Sequence, residues 1–440
     1  NQFLNYMRLL FTTIVFFSWS MLSAQPGSQP LTLQECVEFA LENNPQLKNA
    51  KLNVDAANLK VGEIVANGLP QINASADLSY NFKVPTSFLP AEVLGGEAGT
   101  FIPVQFSPAY NGSAGIAVNQ MLFNGSYFVG LKASKTYTEL SRRDKIKSEI
   151  DVIEAVSKAY YLALINKERA GLIFKNYGRL DSLLRETSAL FTNGFVEKID
   201  VDRVKVQVNN LAVEKNNIEQ MMELSYSLLK FQMGLDVNQP IQLKDKIEDI
   251  QFEALADDFG NDFEPTDRIE YSILETNAAL IELDIKNTQS QYIPTVDLYA
   301  NLGASTGGGS TSDLFNFSDR WFGLGVVGVQ VRMPIFDGLR KSKQIQQKKV
   351  QAKQLAISKE QVKMGIDLEI KQARTNLKRN VDNLTTQKEN SLIAENVFRV
   401  AKVKYENGVG SSLEIVNADA DLKTAQSNYY DALYNALVTK

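Results

Sequence analysis

The stretch Ile173-Phe-Lys-Asn-Tyr177-Gly-Arg-Leu180-Asp-Ser-Leu-Leu184-Arg-Glu-Thr187-Ser-Ala-Leu-Phe191-Thr-Asn193-Gly194 decides the fold. Ile173, Tyr177, Leu180, Leu184, Thr187 and Phe191 recur alternately four and three residues apart. This is a heptad seam, which wraps helices left-handedly around one another. Asn-Gly between strands would mark a hairpin turn. After a helical pattern, glycine instead supplies the left-handed residue that stops the helix. Outward from the seam, no proline occurs between Gly125 and Gly234, and the helical pattern breaks only at Asn193-Gly194. Read as helix, 125–191 alone spans about 100 Å at 1.5 Å per residue. The segment therefore reads as a very long antiparallel helical hairpin, and such a hairpin cannot bury its own apolar stripe.

Composition narrows the function classes. The chain has 440 residues, with 46 basic against 51 acidic and no basic block, so it lacks the electrostatic footprint of a nucleic-acid-binding protein. Its one cysteine, Cys36, excludes an intrachain disulfide framework and a cysteine-cluster metal site, and there is no histidine. Met7-Arg8, the apolar run Leu9 to Leu22 and Leu22-Ser-Ala24 before Gln25 read as a secretory signal peptide, 1–24. That run is shorter than the ~20 residues of a permanent membrane helix. No later segment is apolar enough for one, so the exported protein is not expected to be an inner-membrane helical protein.

The rest follows one plan twice. In the first repeat, 25–234, Thr32 to Gly68 reads as helix with Pro45 near a helix start, and Pro70 ends it. Gln71 to Phe82 then alternates without a fault, with Ile72, Ala74, Ala76, Leu78, Tyr80 and Phe82 opposite Gln71, Asn73, Ser75, Asp77, Ser79 and Asn81. Strict period two makes an amphipathic strand, and its length suits a tilted membrane strand of ~9–11 residues. A Pro- and Gly-rich loop, 83–111, leads to a second strand at about 112–123 and then to the hairpin 125–234, with its tip near 194. Residues 235–267 form an acidic connector. The second repeat, 268–440, has a helix ended by Pro294, strands at about 294–303 and 321–333, a Gly/Ser-rich loop at 303–320, and a proline-free hairpin, 339–440, broken at Asn407-Gly408. The apolar phase slips near Val326-Val327, as a bulge would cause. Gly115 to Gly125 aligns with Gly328 to Gly338, Phe191-Thr-Asn-Gly194 with Tyr405-Glu-Asn-Gly408, and Asp200-Val201 with Glu414-Ile415, which marks an internal duplication. In the second hairpin Val362, Ile366, Ile370, Ala373, Leu377, Val381 and Leu384 follow an eleven-residue repeat, which favours a straighter course. The helical pattern still runs at Lys440, leaving open whether the native chain continues.

Four amphipathic strands cannot close a barrel, and an open sheet in lipid leaves edge groups that each cost several kcal/mol. Closure needs several chains; three would give about twelve strands, within the range of outer-membrane barrels. The signal peptide, Leu31-Thr-Leu-Gln-Glu-Cys-Val-Glu-Phe-Ala-Leu-Glu-Asn-Asn-Pro45, the duplicated helix–strand–strand–hairpin units, and Tyr405-Glu-Asn-Gly408 before Leu413-Glu-Ile-Val416 together resemble the TolC-type outer-membrane efflux family over essentially the whole mature chain. The resemblance implies a mainly α fold with a membrane β-barrel: a homotrimer with a twelve-stranded barrel in the outer membrane of a Gram-negative bacterium, on an α-helical barrel through the periplasm. It also implies a passive duct without cofactor or enzymatic activity. Such a duct takes substrates from an inner-membrane pump of RND or ABC type through a periplasmic adaptor protein, and contacts outer-membrane lipid but not nucleic acid. The alternative is a trimeric coiled-coil structural or adhesive cell-surface protein.

The family closes its periplasmic mouth at the second hairpin tip with a Tyr, an Arg two residues after a Gly, and two Asp three apart. Here Tyr405 and Gly408 match and Glu414 replaces the first Asp, while Gly410 stands in place of the Arg and Asn417 in place of the second Asp. Tyr405, Glu414 and Asn417 are the resulting gate candidates. The simpler role of Glu414 is a capping box with Ser411. Asn193, Gly194, Phe195, Asn407, Gly408 and Leu413 are the adaptor-docking candidates, against the plainer reading of turn geometry alone. Gly323-Leu-Gly325-Val-Val-Gly328 fits a dinucleotide-binding glycine pattern, but it lies inside a strand rather than between strand and helix. Asp151, Glu154, Asp419 and Asp421 follow helical surface spacing, which predicts solvated or lumen-lining carboxylates.

Overall fold

The structure, a computed structural model, describes residues 30–247 and 263–439. The expected signal peptide and part of the connector lie outside the described residues. In chain order the elements are α1 (Leu33–Asn43), α2 (Pro45–Ala66), β1 (Gln71–Tyr80), β2 (Ser87–Pro90), β3 (Phe101–Val104), β4 (Tyr110–Phe123), α3 (Gly125–Thr192), α4 (Lys198–Met233), α5 (Ile269–Ser290), β5 (Thr295–Gly308), α6 (Thr311–Leu314), β6 (Phe322–Arg332), α7 (Arg340–Glu406) and α8 (Ser412–Thr439). The single helix expected over Thr32–Gly68 is two, because the N–H-less Pro45 restarts the chain as the first residue of α2. α3 and α7 are 68 and 67 residues long.

The chain forms two units: residues 52–144 with 266–363, and residues up to 51 with 145–265 and 364–440. The first contains an antiparallel sheet of four strands in the order β1-β4-β5-β6. Its register sorts the side chains. Ile72, Val118, Ala300 and Val327 share one row and Ala74, Ile116, Leu302 and Gly325 the next, which makes one apolar face. Asn73, Ala117 and Asn301 lie on the other face. β1 and β6 are the two edges. The bulge expected near Val326-Val327 is absent, for β5 and β6 pair without a register shift from Thr295–Arg332 to Ser305–Phe322. The phase slip has another cause: Phe322, Leu324 and Val326 are apolar residues standing on the polar face. The irregularity lies instead between Met121 and Phe123, where β4 meets β5. The loop expected over 83–111 contains the small hairpin β2–β3.

Asn124 and Asp337, which occupy matching places in the duplication, cap the helices that follow their strands. Asn124 Oδ1 accepts from Ser126 N at 2.9 Å, and Asp337 Oδ2 accepts from Lys341 N at 3.2 Å and Lys341 Nζ at 2.9 Å. The hydrogen bond from Lys341 holds the Asp337 carboxyl below the usual carboxylate range. In the same unit Arg143 donates to Ser272 O at 2.6 Å, and Lys348 to Asp284 Oδ1 at 2.6 Å.

The second unit is helical with two apolar cores. One gathers Cys36, Ala40, Val156, Tyr160, Leu164, Leu229, Met233, Leu433 and Leu437; the other gathers Leu180, Val204, Leu211, Phe398, Ile415 and Leu422. The opening motif acquires physical roles here. Thr32 and Glu35 form a reciprocal capping box, and the backbone hydrogen bond from Thr32 lowers the Glu35 pKa. Asn44 Oδ1 caps α2 through Gln46 N at 2.8 Å, while its Nδ2 donates to Gln232 O at 2.7 Å. Gly234 ends α4 at φ 76°, and a Cβ there would meet Asn43 O at 2.7 Å, so the position excludes a side chain. Leu31 bridges to Leu243, and Asp245 Oδ2 accepts from Tyr160 Oη at 2.8 Å and Leu33 N at 3.0 Å. Burial, followed by this hydrogen bond, raises the Tyr160 pKa.

Two outcomes are expected. Asp245→Ala strands two donors and should cost about 2–3 kcal/mol, whereas Tyr160→Phe should cost about 1 kcal/mol. Thermal unfolding in detergent measures both, and an Asp245→Ala protein as stable as the parent would show that the carboxylate does not tether the N-terminal segment. Burial pushes the Cys36 thiol up to about 12, so at pH 8 the thiolate fraction is ~10⁻⁴. Maleimide should therefore label Cys36 only on unfolding, and rapid labelling of the folded protein would contradict the buried placement.

Candidate functional site: the helical tips and the polar rungs behind them

Both tips are built alike. At the first, Gly194 has φ 78°, Phe195 N donates to Leu190 O at 2.9 Å, and Asn193 Nδ2 donates to Ala189 O at 2.8 Å. At the second, Gly408 has φ 73°, Val409 N donates to Lys404 O at 3.0 Å, and Asn407 Nδ2 donates to Val403 O at 2.7 Å. The pairing of the residue after glycine with the carbonyl five back is the Schellman stop, and each asparagine satisfies a further terminal carbonyl. With the turns satisfied internally, the apolar side chains of Phe195 (77% exposed), Val409 and Leu413 project into solvent.

The gate candidates occupy different environments. Tyr405 is buried, with its hydroxyl 3.2 Å from Thr187 Oγ1, itself fully buried on the heptad seam of α3. Glu414 is exposed. Ser411 Oγ accepts from Glu414 N at 3.1 Å, but the Glu414 carboxylate reaches across the tip to Lys404 Nζ at 2.9 Å, so only half of the expected capping box forms. Asn417 is exposed on α8. The structure thus brings Tyr405 to α3 and Glu414 to α7, and does not bring the three together.

Sequence reasoning missed the contacts between the two tips. Ser412 Oγ donates to Asp200 Oδ1, Arg203 Nη1 donates to Ser412 Oγ at 3.3 Å, and Arg203 lies 3.6 Å from Asp200. Asp200 also accepts from Glu197 N at 3.1 Å, so one carboxylate starts α4 and holds the first turn of α8. The alignment of Asp200 with Glu414 was the available signal, since it marked the acidic first turn at each tip.

Asp419 corrects the expectation of a solvated carboxylate. It is fully buried, because α8 packs this face against α3, and its charge is compensated from both helices. Arg179 Nη2 donates to Oδ1 at 3.3 Å, and its guanidinium stacks 4.1 Å from the Phe398 ring centre. Lys423 Nζ lies 2.8 Å from Oδ2, but Oδ2 receives no directed hydrogen bond, so the contact neutralises charge without satisfying a lone pair. Asp151, half-buried, and Glu154, exposed, pair instead with Lys147 and Lys158, and Asp421 is exposed. Further from the tips Asn176 Nδ2 donates to Gln426 Oε1 at 3.0 Å, and Arg169 donates to Asp431 at 3.0 Å and Ser427 at 3.3 Å. Four polar rungs therefore link α3 to the second hairpin.

No group of metal-ligating side chains occurs among the described residues. Gly323, Gly325 and Gly328 lie within β6, where no helix starts, so the phosphate cradle of a dinucleotide site is not formed; Gly328 instead packs under the Tyr299 ring. No helix among the described residues is long and apolar enough to cross a membrane. The surface is a mechanical one, with helix ends that pack, cap and pair.

The outer membrane efflux protein family matches residues 37–235 and 275–439. The efflux pump outer membrane protein TtgC of Pseudomonas putida is 21% identical over 404 residues, covering 90% of this chain and 78% of that one. The outer membrane protein TolC of Escherichia coli is 20% identical over 428 residues, covering 94% and 81%. Among solved structures, CusC superposes with a TM-score of 0.73 at 15% identity, covering 92% of this chain and 90% of that one. The Campylobacter jejuni channel CmeC gives 0.69 at 17% identity, covering 92% and 84%. With the match covering well over half of the chain, the chain belongs to the outer membrane efflux protein family: it is an outer-membrane channel and not an enzyme.

Proposed function

We propose that this chain is the exit duct of a tripartite efflux or type I secretion system, passing substrates received from an inner-membrane pump and a periplasmic adaptor. The observation that carries the reading is the sheet with two free edges. Among the described residues β1 and β6 each pair on one side only, β1 has membrane length, and both strands contribute to one continuous apolar face. In lipid those edges must pair, and antiparallel closure of β1 on the next copy's β6 gives, with three copies, a barrel of about twelve strands. The relatives' names place them in efflux pumps, which supports pump and adaptor partners. In this reading the repeats are 25–234 and 268–440, joined by the connector 235–267.

Gating belongs to the second hairpin. Tyr405, bonded to Thr187, and Glu414, paired with Lys404, hold α7 and α8 in the closed position, with Asn417 facing the same mouth. Asn193, Gly194, Phe195, Asn407, Gly408 and Leu413 offer the adaptor two similar rigid tips with exposed apolar side chains. The rungs suit a movable hairpin. A polar contact is exchanged for water at a net cost of about 0.5–1.5 kcal/mol, so the helices can part without creating a large new apolar surface at each rung.

Single-channel conductance of detergent-purified protein in a planar bilayer tests the duct and the gate together. The parent should give small, flickering currents that grow severalfold in Tyr405→Ala/Glu414→Ala. Large, steady currents in both proteins would discard this gate, and no insertion under any condition would sink the duct. Independently, Asp419→Ala leaves Arg179 and Lys423 facing one another across a buried site. It should cost about 2–3 kcal/mol, at the low end for a broken buried pair because both cations are partly solvated. Asp419→Leu/Arg179→Met should cost less than Asp419→Ala in thermal unfolding, and the reverse order would deny that the pair is coupled.

A further inference from the structure

The two free edges carry apolar side chains at the same end of the sheet. Beyond β1, the hairpin β2–β3 pairs Phe88 with Pro103 and Pro90 with Phe101. Alternation puts these four residues on one face, and all four are exposed. At the opposite edge β6 begins with Phe322, and Phe322, Leu324 and Val326 sit across from Ser305, Gly303 and Asn301 on the otherwise polar face. Phe101 is 64% and Phe322 69% exposed, and among the described residues nothing covers either patch.

We propose that the Phe/Pro face of one copy's hairpin packs on the Phe322–Leu324–Val326 strip of the next copy, forming an apolar clasp across each seam of the barrel. The proposal rests on the reading that β1 of one copy pairs with β6 of the next. Topology commits the occupant. β1 runs toward the hairpin and β6 starts at the strip, so antiparallel pairing of these edges puts the end of β1 and the start of β6 at the same rim and brings the hairpin to the strip. Chemistry sets the mode of contact. Pro90 and Pro103 lack N–H donors, so the hairpin is a poor template for a further strand and engages through its side-chain face. On the receiving side Gly115 and Gly303 stand in the same cross-strand row as Leu324, so no side chain of that row stands between Leu324 and the approaching hairpin.

The test uses the full-length protein in outer-membrane vesicles and a short bis-maleimide. Phe101→Cys with Phe322→Cys should give interchain species that neither single variant gives, with buried Cys36 left in place. In temperature-ramped electrophoresis Phe88→Ser/Phe101→Ser and Phe322→Ser/Leu324→Ser should each lower the temperature at which the oligomer separates. Combining them should lower it no further than the worse pair alone. Glutaraldehyde-trapped oligomers without any maleimide product, or fully additive losses, would overturn the clasp while leaving closure intact. Glutaraldehyde trapping that yields monomer alone would overturn closure, and the clasp with it.

Discussion

A strand in hydrocarbon can satisfy its N–H and C=O groups only with another strand, and this condition governs the whole molecule. β4 and β5 are paired on both sides, whereas β1 and β6 each leave one edge open. In an antiparallel strand of this length, about ten backbone groups point to each side. At several kcal/mol for each unpaired group in lipid, an open pair of edges would cost tens of kcal/mol. A domain's entire stability is about 5–15 kcal/mol. A deficit of that size makes insertion of the sheet and the pairing of its two edges energetically one event, and in the proposed duct further copies supply that pairing.

The helices meet a related demand with different means. Apolar side chains on α3 and α4 join the first hairpin into a continuous core through Leu180, Val204 and Leu211. Between α3 and the second hairpin the same core is interrupted by Thr187–Tyr405, Arg179–Asp419, Asn176–Gln426 and Arg169–Asp431. Apolar contact is non-directional and tolerates sliding, while a hydrogen-bonded rung fixes register. The rungs thus select one alignment of the second hairpin on α3. Asp419 is the rung least tolerant of change, because its charge depends on two cations from different helices.

What the sequence disclosed was local. Proline-free runs, glycine stops and strict alternation depend on neighbours in the chain, so the long hairpins, both tips and β1 could be read directly from Gln71 onward. What it hid depends on partners far away. Ser412 meets Asp200 across 212 residues, and no periodicity encodes that contact. Asp419 looked solvated because its spacing on α8 is that of a surface residue, and only the arrival of Arg179 explains its burial. The phase slip at Val326 was visible but ambiguous, since a bulge and an apolar residue on a polar face leave the same pattern. Register alone separates them.

The two repeats, similar in plan, are unequal in what they bury, and this bears on assembly. α3 covers Val152, Val156, Tyr160, Leu164, Leu180 and Thr187 within its own chain. α7, almost as long, covers Ile366, Leu377 and Leu384 on one flank, yet leaves Met364, Leu368, Ile393 and Val397 exposed. At about 100° per residue these two sets lie roughly half a turn apart on the helix. A helix at the surface of a lone hairpin needs one apolar flank. A helix in a closed ring needs two, one for each neighbour. In the proposed ring the second flank of α7 meets the neighbouring copy, so the closure that pairs the sheet edges also covers the helices.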